Sequence, residues 1–277
     1  MIDLLESLLG APVELDELKV KPGRRTTLRA RGRRWSAIVK RYQSQRAPIV
    51  AARVQALAGG PEDPLVPEVL LCDPSRSLVV LSDLPGVPLR EAVLADDCDS
   101  CRRAGAALGR WHRAWSGTAP APPLRQHTGD RERDVVLTRA VRAASQSVAA
   151  QAQSVLRGLN FRWACTTVVH RDLYEDQILL GEHVAMIDLD DAATGPPELD
   201  LGNLWAHLQL LGLRTRRDLA IPIRTLLAGY VEEGPALEPR LLDNFRRLTL
   251  VRLASLNDDS NLLGLARSNG AIHDAWP

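Results

Sequence analysis

Three oxygen-bearing side chains lie close together in this chain: Asp172, Gln177 and Asp188. An apolar run leads to the first of them. Two further short runs, Ile178 to Leu180 and Val184 to Ile187, flank a turn that contains glycine. Two such runs joined by a tight turn predict a β-hairpin, in which the start of the first strand lies beside the end of the second. The sequence therefore predicts that Gln177 and Asp188 are neighbours, with Asp172 on the loop just before them.

An oxygen-rich hairpin end of this kind suits a hard cation such as Mg2+, which binds oxygen ligands. A separate carboxylate beside it, here Asp172, is free to accept a proton from a reacting group. A metal site next to such a carboxylate is typical of enzymes that transfer a phosphoryl group. We therefore interpret these residues as the working end of a phosphoryl-transfer site.

The elements that must position these residues are divided by a composition break at Leu84 to Pro88. Before it, short apolar runs between Gly, Pro and Arg turns predict a β-rich region with one helix, Ile49 to Leu57. The predicted strands are Val13 to Val20, Thr26 to Ala30, Trp35 to Tyr42 and Ser77 to Leu81. We expect residues 1–83 to form a small N-terminal lobe.

The remaining residues, 84–277, are expected to form a larger and mainly helical lobe, because their apolar side chains recur at helical spacing. The predicted helices are Ser100 to Ser116, a long helix or helix pair from Arg131 to Leu156, Glu198 to Leu213, Arg217 to Glu233, and Glu238 to Leu256. The predicted fold class is α+β, with two lobes of which the smaller is antiparallel and β-rich. A cleft between two such lobes is a usual place for a ligand.

Composition limits the other classes of function. The chain has 277 residues with 35 basic and 34 acidic side chains, a balance that argues against a general binder of nucleic acid or anionic membrane. No apolar stretch approaches the roughly 20 residues that span a bilayer. Residues 1–10 predict a short amphipathic helix, not a signal peptide, so we expect a cytoplasmic protein. The four cysteines lack a zinc-like spacing and predict free thiols.

The stretch from His170 to Leu201 resembles the aminoglycoside phosphotransferase family, the small-molecule branch of the protein-kinase-like fold. The resemblance extends in order and content from about Leu18 to Leu256. It covers a strand with a Lys, a helix, a hinge, a Leu-Gly-Arg-Trp-His helix, the catalytic loop and Ile187-Asp188-Leu189-Asp190-Asp191. It implies the two-lobe kinase-like fold and a reaction that uses ATP or GTP with Mg2+.

The resemblance also implies roles for the three oxygen-bearing residues. Asp172 matches the catalytic-loop Asp, which orients the acceptor hydroxyl and accepts its proton. Asp188 matches the metal-binding Asp that bridges the nucleotide phosphates through the ion. Gln177 stands where the family usually has Asn, and maltokinase-like relatives look similar in using Gln here. Its amide oxygen still suits a cation; the alternative is an amide that bonds the loop backbone.

A nucleotide site in the N-terminal lobe follows from the same resemblance. Lys40 matches the Lys that grips the α- and β-phosphates. Ser82 and Leu84 match the hinge, whose backbone groups bind the adenine edge. Arg24 and Arg25 occupy the place of the phosphate-covering loop, where either of them binds phosphate in a bidentate way or both belong to a solvated basic turn.

The helix that follows Lys40 departs from the family pattern, because Ile49 to Leu57 contains no acid to pair with this Lys. Either Gln55 offers a neutral partner, or nucleotide phosphates and Asp188 alone hold Lys40. The departure puts the position of Lys40 in doubt.

The leading hypothesis is an ATP- and Mg2+-dependent phosphotransferase that acts on a hydroxyl of a small molecule: an aminoglycoside, a sugar or an amino alcohol. Acids on the last helices could bind a cationic sugar; these are Glu232, Glu233, Asp243, Asp258 and Asp259. One alternative enzyme phosphorylates Ser or Thr of a peptide in natural-product biosynthesis and docks an acidic leader on residues 131–142. Another alternative is a non-catalytic kinase-like binding module, which the missing helix acid and Gln177 motivate.

Overall fold

The computed structural model describes residues 6, 13–33, 35–58, 60, 63–121, 123–142 and 145–268. The helix predicted for residues 1–10 lies, apart from Glu6, outside these residues. Within the part of the chain that the structure describes, no helix is long and apolar enough to cross a membrane. The four cysteines are free thiols, as the sequence predicts.

A five-stranded antiparallel sheet forms the N-terminal part, with the spatial order β1-β2-β3-β5-β4. Its strands are β1 (Glu14–Lys21), β2 (Arg25–Arg31), β3 (Ser36–Tyr42), β4 (Val69–Asp73) and β5 (Leu78–Ser82). Four of them match the predicted strands to within one residue at each end. The fifth, β4, lies outside the predictions: it is an edge strand with mostly half-exposed side chains, and prolines precede it.

The central strand β3 presents two different faces, because successive side chains of a strand point in opposite directions. Ala37 and Val39 lie on one face, in a small apolar cluster with Ala30, Leu78 and Val80. The opposite face carries Lys40 and Tyr42. The single helix of this region, α1 (Ala47–Leu57), packs its apolar side in one core with Tyr42. The sheet therefore holds Lys40 on the face that looks toward the rest of the molecule.

The remainder of the chain is mainly helical and carries two small sheets, one of two strands and one of three. Its elements are β6 (Val87–Pro88), α2 (Leu89–Leu94), α3 (Cys98–Ala114), α4 (Gly129–Val141), α5 (Gln146–Leu156), β7 (Thr167–Val169), β8 (Ile178–Leu180), β9 (Val184–Met186), β10 (Ala193–Gly195), α6 (Glu198–Thr215), α7 (Ala220–Glu233), α8 (Pro239–Asn257) and α9 (Ser260–Arg267). The predicted stretch from Arg131 to Leu156 is thus a helix pair. The predicted boundary between residues 83 and 84 falls directly after β5 and stays a prediction.

Helices α3 and α7 cross at very close range, and glycine makes this possible. A Cβ atom on Gly105 of α3 would overlap the carbonyl oxygen of Leu226 in α7, and one on Gly229 of α7 would overlap the carbonyl oxygen of Arg102. The contact includes Tyr230 of α7, which is completely buried and lies against His112 of α3. This helix pair supports the loop that carries Asp172, since β7, which leads into that loop, packs on α3.

Candidate active site

The hairpin that the sequence predicts is present. Strands β8 and β9 pair antiparallel, and the backbone N–H of Ile187 donates to the carbonyl oxygen of Gln177 over 3.0 Å. Gln177 therefore lies opposite the residue that precedes Asp188, so the predicted adjacency holds. The hairpin is fixed on both edges, by β6 on one side and by backbone hydrogen bonds of Leu65 to Val184 and Met186 on the other.

Asp188 adopts a left-handed backbone conformation, with φ 65° and ψ 39°. This region is uncommon for residues other than glycine, although Asp is among those enriched there. The conformation turns the chain out of β9 and directs the carboxylate into the cleft between the sheet and the helical part. Strain of this kind clusters at functional sites.

A network of charged side chains joins the two parts of the molecule at Asp188. Lys40 Nζ donates to Asp188 Oδ1 over 2.7 Å and to Asp190 Oδ1 over 2.5 Å. Arg25 reaches the same two carboxylates with its two terminal nitrogens, over 2.5 Å to Asp188. The hydroxyl of Tyr42 donates to Asp190 over 2.7 Å. Two cations from β2 and β3 thus neutralise two carboxylates that follow β9.

The two neighbouring cations keep Asp188 ionised. Burial opposes the charge, but Lys40 and Arg25 outweigh it and hold the pKa of this carboxyl well below its usual value. Burial, with the charge of Asp190, raises the pKa of Tyr42, so its hydroxyl stays a neutral donor. At neutral pH Asp188 is therefore a carboxylate that can bind a cation.

Helix α1 offers no acid to Lys40, and acids from another part of the chain pair with it instead. Lys40 is only 4% exposed, and its partners are Asp188 and Asp190. Gln55 lies on the exposed side of α1, which does not support it as a partner for Lys40. Of the two options that the sequence leaves open, the structure favours a Lys held by Asp188, and it adds Asp190.

The amide of Gln177 fits a metal ligand. Its residue is 3% exposed, and its Oε1 accepts no hydrogen bond from any described residue. A buried oxygen without a donor is costly unless a cation or another ligand binds it. This speaks against the alternative of an oxygen that bonds the loop backbone. Gln177 and Asp188 both line the cleft, so together they fit Mg2+, which commonly takes one or two protein oxygens and completes its shell with phosphate and water.

Among the described residues, no group of three or more His, Cys, Asp or Glu side chains is arranged to hold a metal ion. A cation at Gln177 and Asp188 would therefore depend on nucleotide phosphates for further ligands.

The loop that carries Asp172 is held by its backbone. Both oxygens of the fully buried Asp200 accept from this loop, one from the N–H of His170 and one from the N–H of Arg171, each over 2.7 Å. The His170 ring donates from Nε2 to the carbonyl oxygen of Ile187 over 2.8 Å, which ties the loop to the hairpin. Asn203 donates to the carbonyl oxygen of Arg171 over 3.1 Å. These hydrogen bonds fix the backbone of the loop, while the side chain of Asp172 itself is exposed.

His112 is a supporting residue. Its ring is completely buried between Asp200, 3.2 Å from Nε2, and Tyr230, whose hydroxyl lies 3.0 Å from Nδ1. It therefore positions Asp200, and through it the loop of Asp172.

A cleft of about 490 Å³ connects the predicted nucleotide residues with the metal residues. It is lined by Ser82 and Leu84 at one end and by Lys40 and Asp188 at the other. The N–H of Ser82 already donates to Glu68 over 2.9 Å, so of its backbone groups only the carbonyl is left to consider for a base. The cleft is of the size that small-ligand sites have, roughly 300–1,000 Å³.

The two arginines at the β1–β2 turn lie in different environments. Arg24 lies exposed in the turn, whereas Arg25 is directed inward to the carboxylates. The structure thus brings Arg25, and not Arg24, together with Lys40 and Asp188.

One member of the network, Tyr42, was not singled out from the sequence, and a second, Asp190, was not distinguished there from Asp191. Tyr42 shares its strand face with Lys40, so the alternation of β3 carried a signal for it. Asp190 is buried at the centre of the network, whereas Asp191 forms a half-exposed pair with Arg46 over 2.9 Å. Nothing in the Asp-Leu-Asp-Asp spacing distinguishes these two acids before the turn that follows Asp188 is known.

Comparison with known proteins assigns the chain to a family. The sequence profile of the phosphotransferase enzyme family matches residues 23–239. The chain belongs to this family. It is a phosphotransferase with a hydroxyl group as acceptor, which confirms the predicted class of enzyme. None of the curated protein sequences compared with the chain matches it.

Solved structures of other phosphotransferases share the fold. An amicoumacin kinase, in complex with AMP-PNP, Ca2+ and its ligand, has a TM-score of 0.66 and 16% identity over 94% of this chain and 88% of its own. A spectinomycin phosphotransferase, in complex with ADP and spectinomycin, has a TM-score of 0.62 and 13% identity over 99% and 92%. A choline kinase from Cryptosporidium parvum has a TM-score of 0.62 and 11% identity over 95% and 88%. The predicted kinase-like α+β fold is confirmed.

Proposed function

We propose that this phosphotransferase transfers the γ-phosphate of ATP, with Mg2+, to a hydroxyl group of a small molecule. The observation that carries the proposal is the meeting of an ionised Asp188, a buried Gln177 oxygen without a donor, and Lys40 at one end of the cleft. The complexes of the amicoumacin kinase with AMP-PNP and Ca2+, and of the spectinomycin phosphotransferase with ADP, support a nucleotide with a divalent metal.

The cleft offers a place for each part of the nucleotide. The adenine would lie at the hinge, against Ser82 and Leu84. The phosphates would lie toward Lys40 and Arg25, because phosphoryl transfer needs fixed positive charge around the phosphate oxygens. Arg25 presents two nitrogens on one side, the arrangement that binds phosphate in a bidentate way.

Gln177 and Asp188 would hold the metal ion. When bound, Mg2+ supplies charge that stabilises the phosphate oxygens of the nucleotide. Lys40 and Arg25 form ion pairs with Asp188 and Asp190. Binding of the nucleotide would draw these two cations from the carboxylates to the phosphates.

Asp172 would act on the acceptor. Its carboxylate is exposed and free to accept the proton of the acceptor hydroxyl. As that proton moves to Asp172, the hydroxyl oxygen forms a bond to the γ-phosphorus, and the bond between this phosphorus and the β–γ bridging oxygen breaks. ADP leaves with the bridging oxygen. The buried Asp200 positions Asp172 through the backbone of Arg171.

The alternative of a non-catalytic binding module loses its main motivation. It depended on a Lys without an acidic partner, and Lys40 has two partners. The acids proposed for a cationic sugar are largely engaged elsewhere: Glu232 pairs with Arg102, Asp243 with Arg246, and Asp258 accepts from the backbone of Ser145.

The direct test incubates the protein with γ-labelled ATP and a panel of sugars, amino alcohols, hydroxy acids and aminoglycosides, with Mg2+ or with EDTA. We expect Mg2+-dependent label transfer to at least one class of hydroxyl compound, and a strongly reduced rate of transfer with Asp172→Ala. A protein that binds AMP-PNP with Mg2+ but transfers no label to any panel member or to water would contradict the proposal.

A further inference from the structure

A second cavity, rich in arginine, lies beside the catalytic loop. It has a volume of about 260 Å³, and we call it the arginine pocket. Its basic lining residues are Arg46, Arg53, Arg125, Arg131 and Arg171. They come from four separate segments: the start and middle of α1, the segment before α4, α4 itself and the catalytic loop. Distant parts of the chain thus bring five guanidinium groups to one small space.

The positive charge of the arginine pocket is largely uncompensated. Asp191 is the acid that lines it, and its carboxylate is occupied by Arg46 over 2.9 Å. The other four guanidinium groups form no ion pair with a carboxylate of the described residues. The lining is therefore strongly positive around a hollow.

The surroundings of Arg53 show that this concentration of positive charge is energetically unfavourable. Its Nη1 is buried and has no hydrogen-bond acceptor within the described ranges. Burial lowers the pKa of its guanidinium, Asp191 acts against that effect, and the charge of Arg46 adds to it. A buried donor without an acceptor is unfavourable, so a ligand that supplies oxygen atoms would be stabilising here.

Size and chemistry of the arginine pocket select an anionic group. Guanidinium groups recognise phosphate and carboxylate through paired hydrogen bonds. The volume lies just below the roughly 300 Å³ at which pockets for drug-sized ligands begin, so it suits a charged group and not a whole large molecule.

The arginine pocket is separate from the nucleotide cleft but adjacent to the reaction. The two cavities share no lining residue. Arg171, however, directly precedes Asp172 in the chain, so an anion held by Arg171 lies next to the catalytic loop. The Lys40 and Arg25 side chains, which face the nucleotide, belong to the other cavity.

We propose that the arginine pocket binds an oxyanion, a phosphate or carboxylate group, at a site distinct from that of the nucleotide phosphates. The oxyanion is either a free ion or the charged group of an acidic acceptor. The site rests on the proposed function only where the acceptor is the source.

The test for the site uses inorganic phosphate on protein that is saturated with AMP-PNP and Mg2+, so that the nucleotide cleft is filled. Thermal stability is followed against phosphate concentration, with chloride at equal ionic strength as reference. The variants are Arg53→Gln and Arg131→Gln. Arg133→Gln is the matched control, because Arg133 lies on the same helix as Arg131 but pairs with Asp130 at the surface.

We expect saturable stabilisation of the wild type and of the control, and a dissociation constant for phosphate raised about tenfold or more in either pocket variant. Two pocket variants are used so that a folding defect in one does not decide the result. Stabilisation that never saturates, or that is equal in all four proteins, would overturn the proposal.

The source of the oxyanion is separated by the transfer assay with γ-labelled ATP. Acidic acceptors, such as sugar phosphates and hydroxy acids, are compared with neutral and cationic hydroxyl compounds. Transfer selective for acidic acceptors, and lost in Arg131→Gln but not in Arg133→Gln, assigns the anion to the acceptor. If Arg131→Gln and Arg133→Gln both still transfer label to neutral acceptors, and phosphate binding is lost in Arg131→Gln but not in Arg133→Gln, the anion is assigned to a free ion.

Discussion

Asp172 and Asp188 carry the same functional group in opposite environments. Asp172 is exposed on a loop that is fixed through its backbone, whereas Asp188 is bound by Lys40 and Arg25. An exposed carboxylate next to an acceptor suits proton transfer, and a carboxylate held ionised by cations suits metal and phosphate binding. The two residues should therefore fail in different ways when they are replaced.

Asp172→Ala should lower kcat by about 10²–10⁴-fold, the usual contribution of a positioned proton acceptor. The dissociation constant for AMP-PNP with Mg2+ should stay near that of the wild type, because Asp172 lies outside the nucleotide cleft. Glu182→Ala, in the exposed turn between β8 and β9, is the control and should change neither value. A parallel loss of nucleotide binding would show that the assigned role is wrong.

Asp188→Asn should remove the part of nucleotide binding that depends on Mg2+. At AMP-PNP concentrations of 100 times its dissociation constant, the wild type should gain about 2.7 kcal/mol of stability with Mg2+. The variant should gain the same small amount with Mg2+ as with EDTA, measured against its own ligand-free melting temperature. Asp191→Asn, a half-exposed neighbour, serves as the comparison. If Asp188→Asn keeps the full Mg2+ effect, the metal lies elsewhere.

For individual residues, the sequence predicts which residues lie side by side in a hairpin better than it predicts which side chains form ion pairs. The hairpin pattern places Gln177 beside Asp188, because a turn of known length fixes the register. The partners of Lys40 do not follow from any local pattern. They depend on the left-handed turn at Asp188, which brings Asp190 back toward the sheet.

The elements that carry the site depend on one very tight helix crossing. Because α3 and α7 touch at Gly105, Gly105→Ala should force them apart at a cost of about 1–3 kcal/mol, seen as a lower Tm. Gly264→Ala in α9, where an added Cβ meets nothing within 4 Å, should raise stability by roughly 0.5–1 kcal/mol. Equal effects of the two changes would contradict the crossing.

Helix α6 contributes a histidine that folding keeps neutral. Burial first, then Arg252 and Arg214, lower the pKa of His207 to about 3, and its ring stacks on Tyr174 at 5.2 Å between centroids. The unfolded chain binds a proton at this residue near pH 6.5. Below that pH the unfolded state therefore holds the extra proton, and the stability that depends on neutral His207 is lost as pH falls toward 3.

Between pH 6 and pH 5, the free energy of unfolding of the wild type should fall by about 1 kcal/mol more than that of His207→Gln. Denaturant titrations at the two pH values measure this difference. His183→Gln, in the exposed hairpin turn, should behave like the wild type. Parallel pH dependence in wild type and His207→Gln would mean that His207 is not held neutral.

Among the elements, periodic segments were predictable and aperiodic ones were not. The strands with alternating side chains and the long helices α6 to α8 agree with the sequence pattern to within a few residues. The short β4 and α9 lie outside the predictions. The division between α4 and α5 was left open by the pattern, and the structure places Ser145, whose side chain accepts from the N–H of Val148, at the start of α5.

For the molecule as a whole, the same ion pairs that organise the site also join its two parts. Arg25 and Lys40 come from the sheet, and Asp188 and Asp190 follow the hairpin that packs on the helical part. A nucleotide with its metal would replace these contacts with contacts to phosphate. Ion pairs between side chains on its two sides thus hold the cleft together, and a ligand that carries both signs of charge would replace them.

The central claim is that Asp188, Gln177 and Lys40 converge on a metal-bound nucleotide in this cleft. The most direct measurement is a crystal structure of the protein with AMP-PNP and Mg2+. We predict the triphosphate between the sheet and the hairpin, with the metal bound by the Asp188 carboxylate and Gln177 Oε1 and with Lys40 Nζ on the phosphates. A nucleotide bound outside the cleft, or a metal that neither Asp188 nor Gln177 contacts, would contradict the claim.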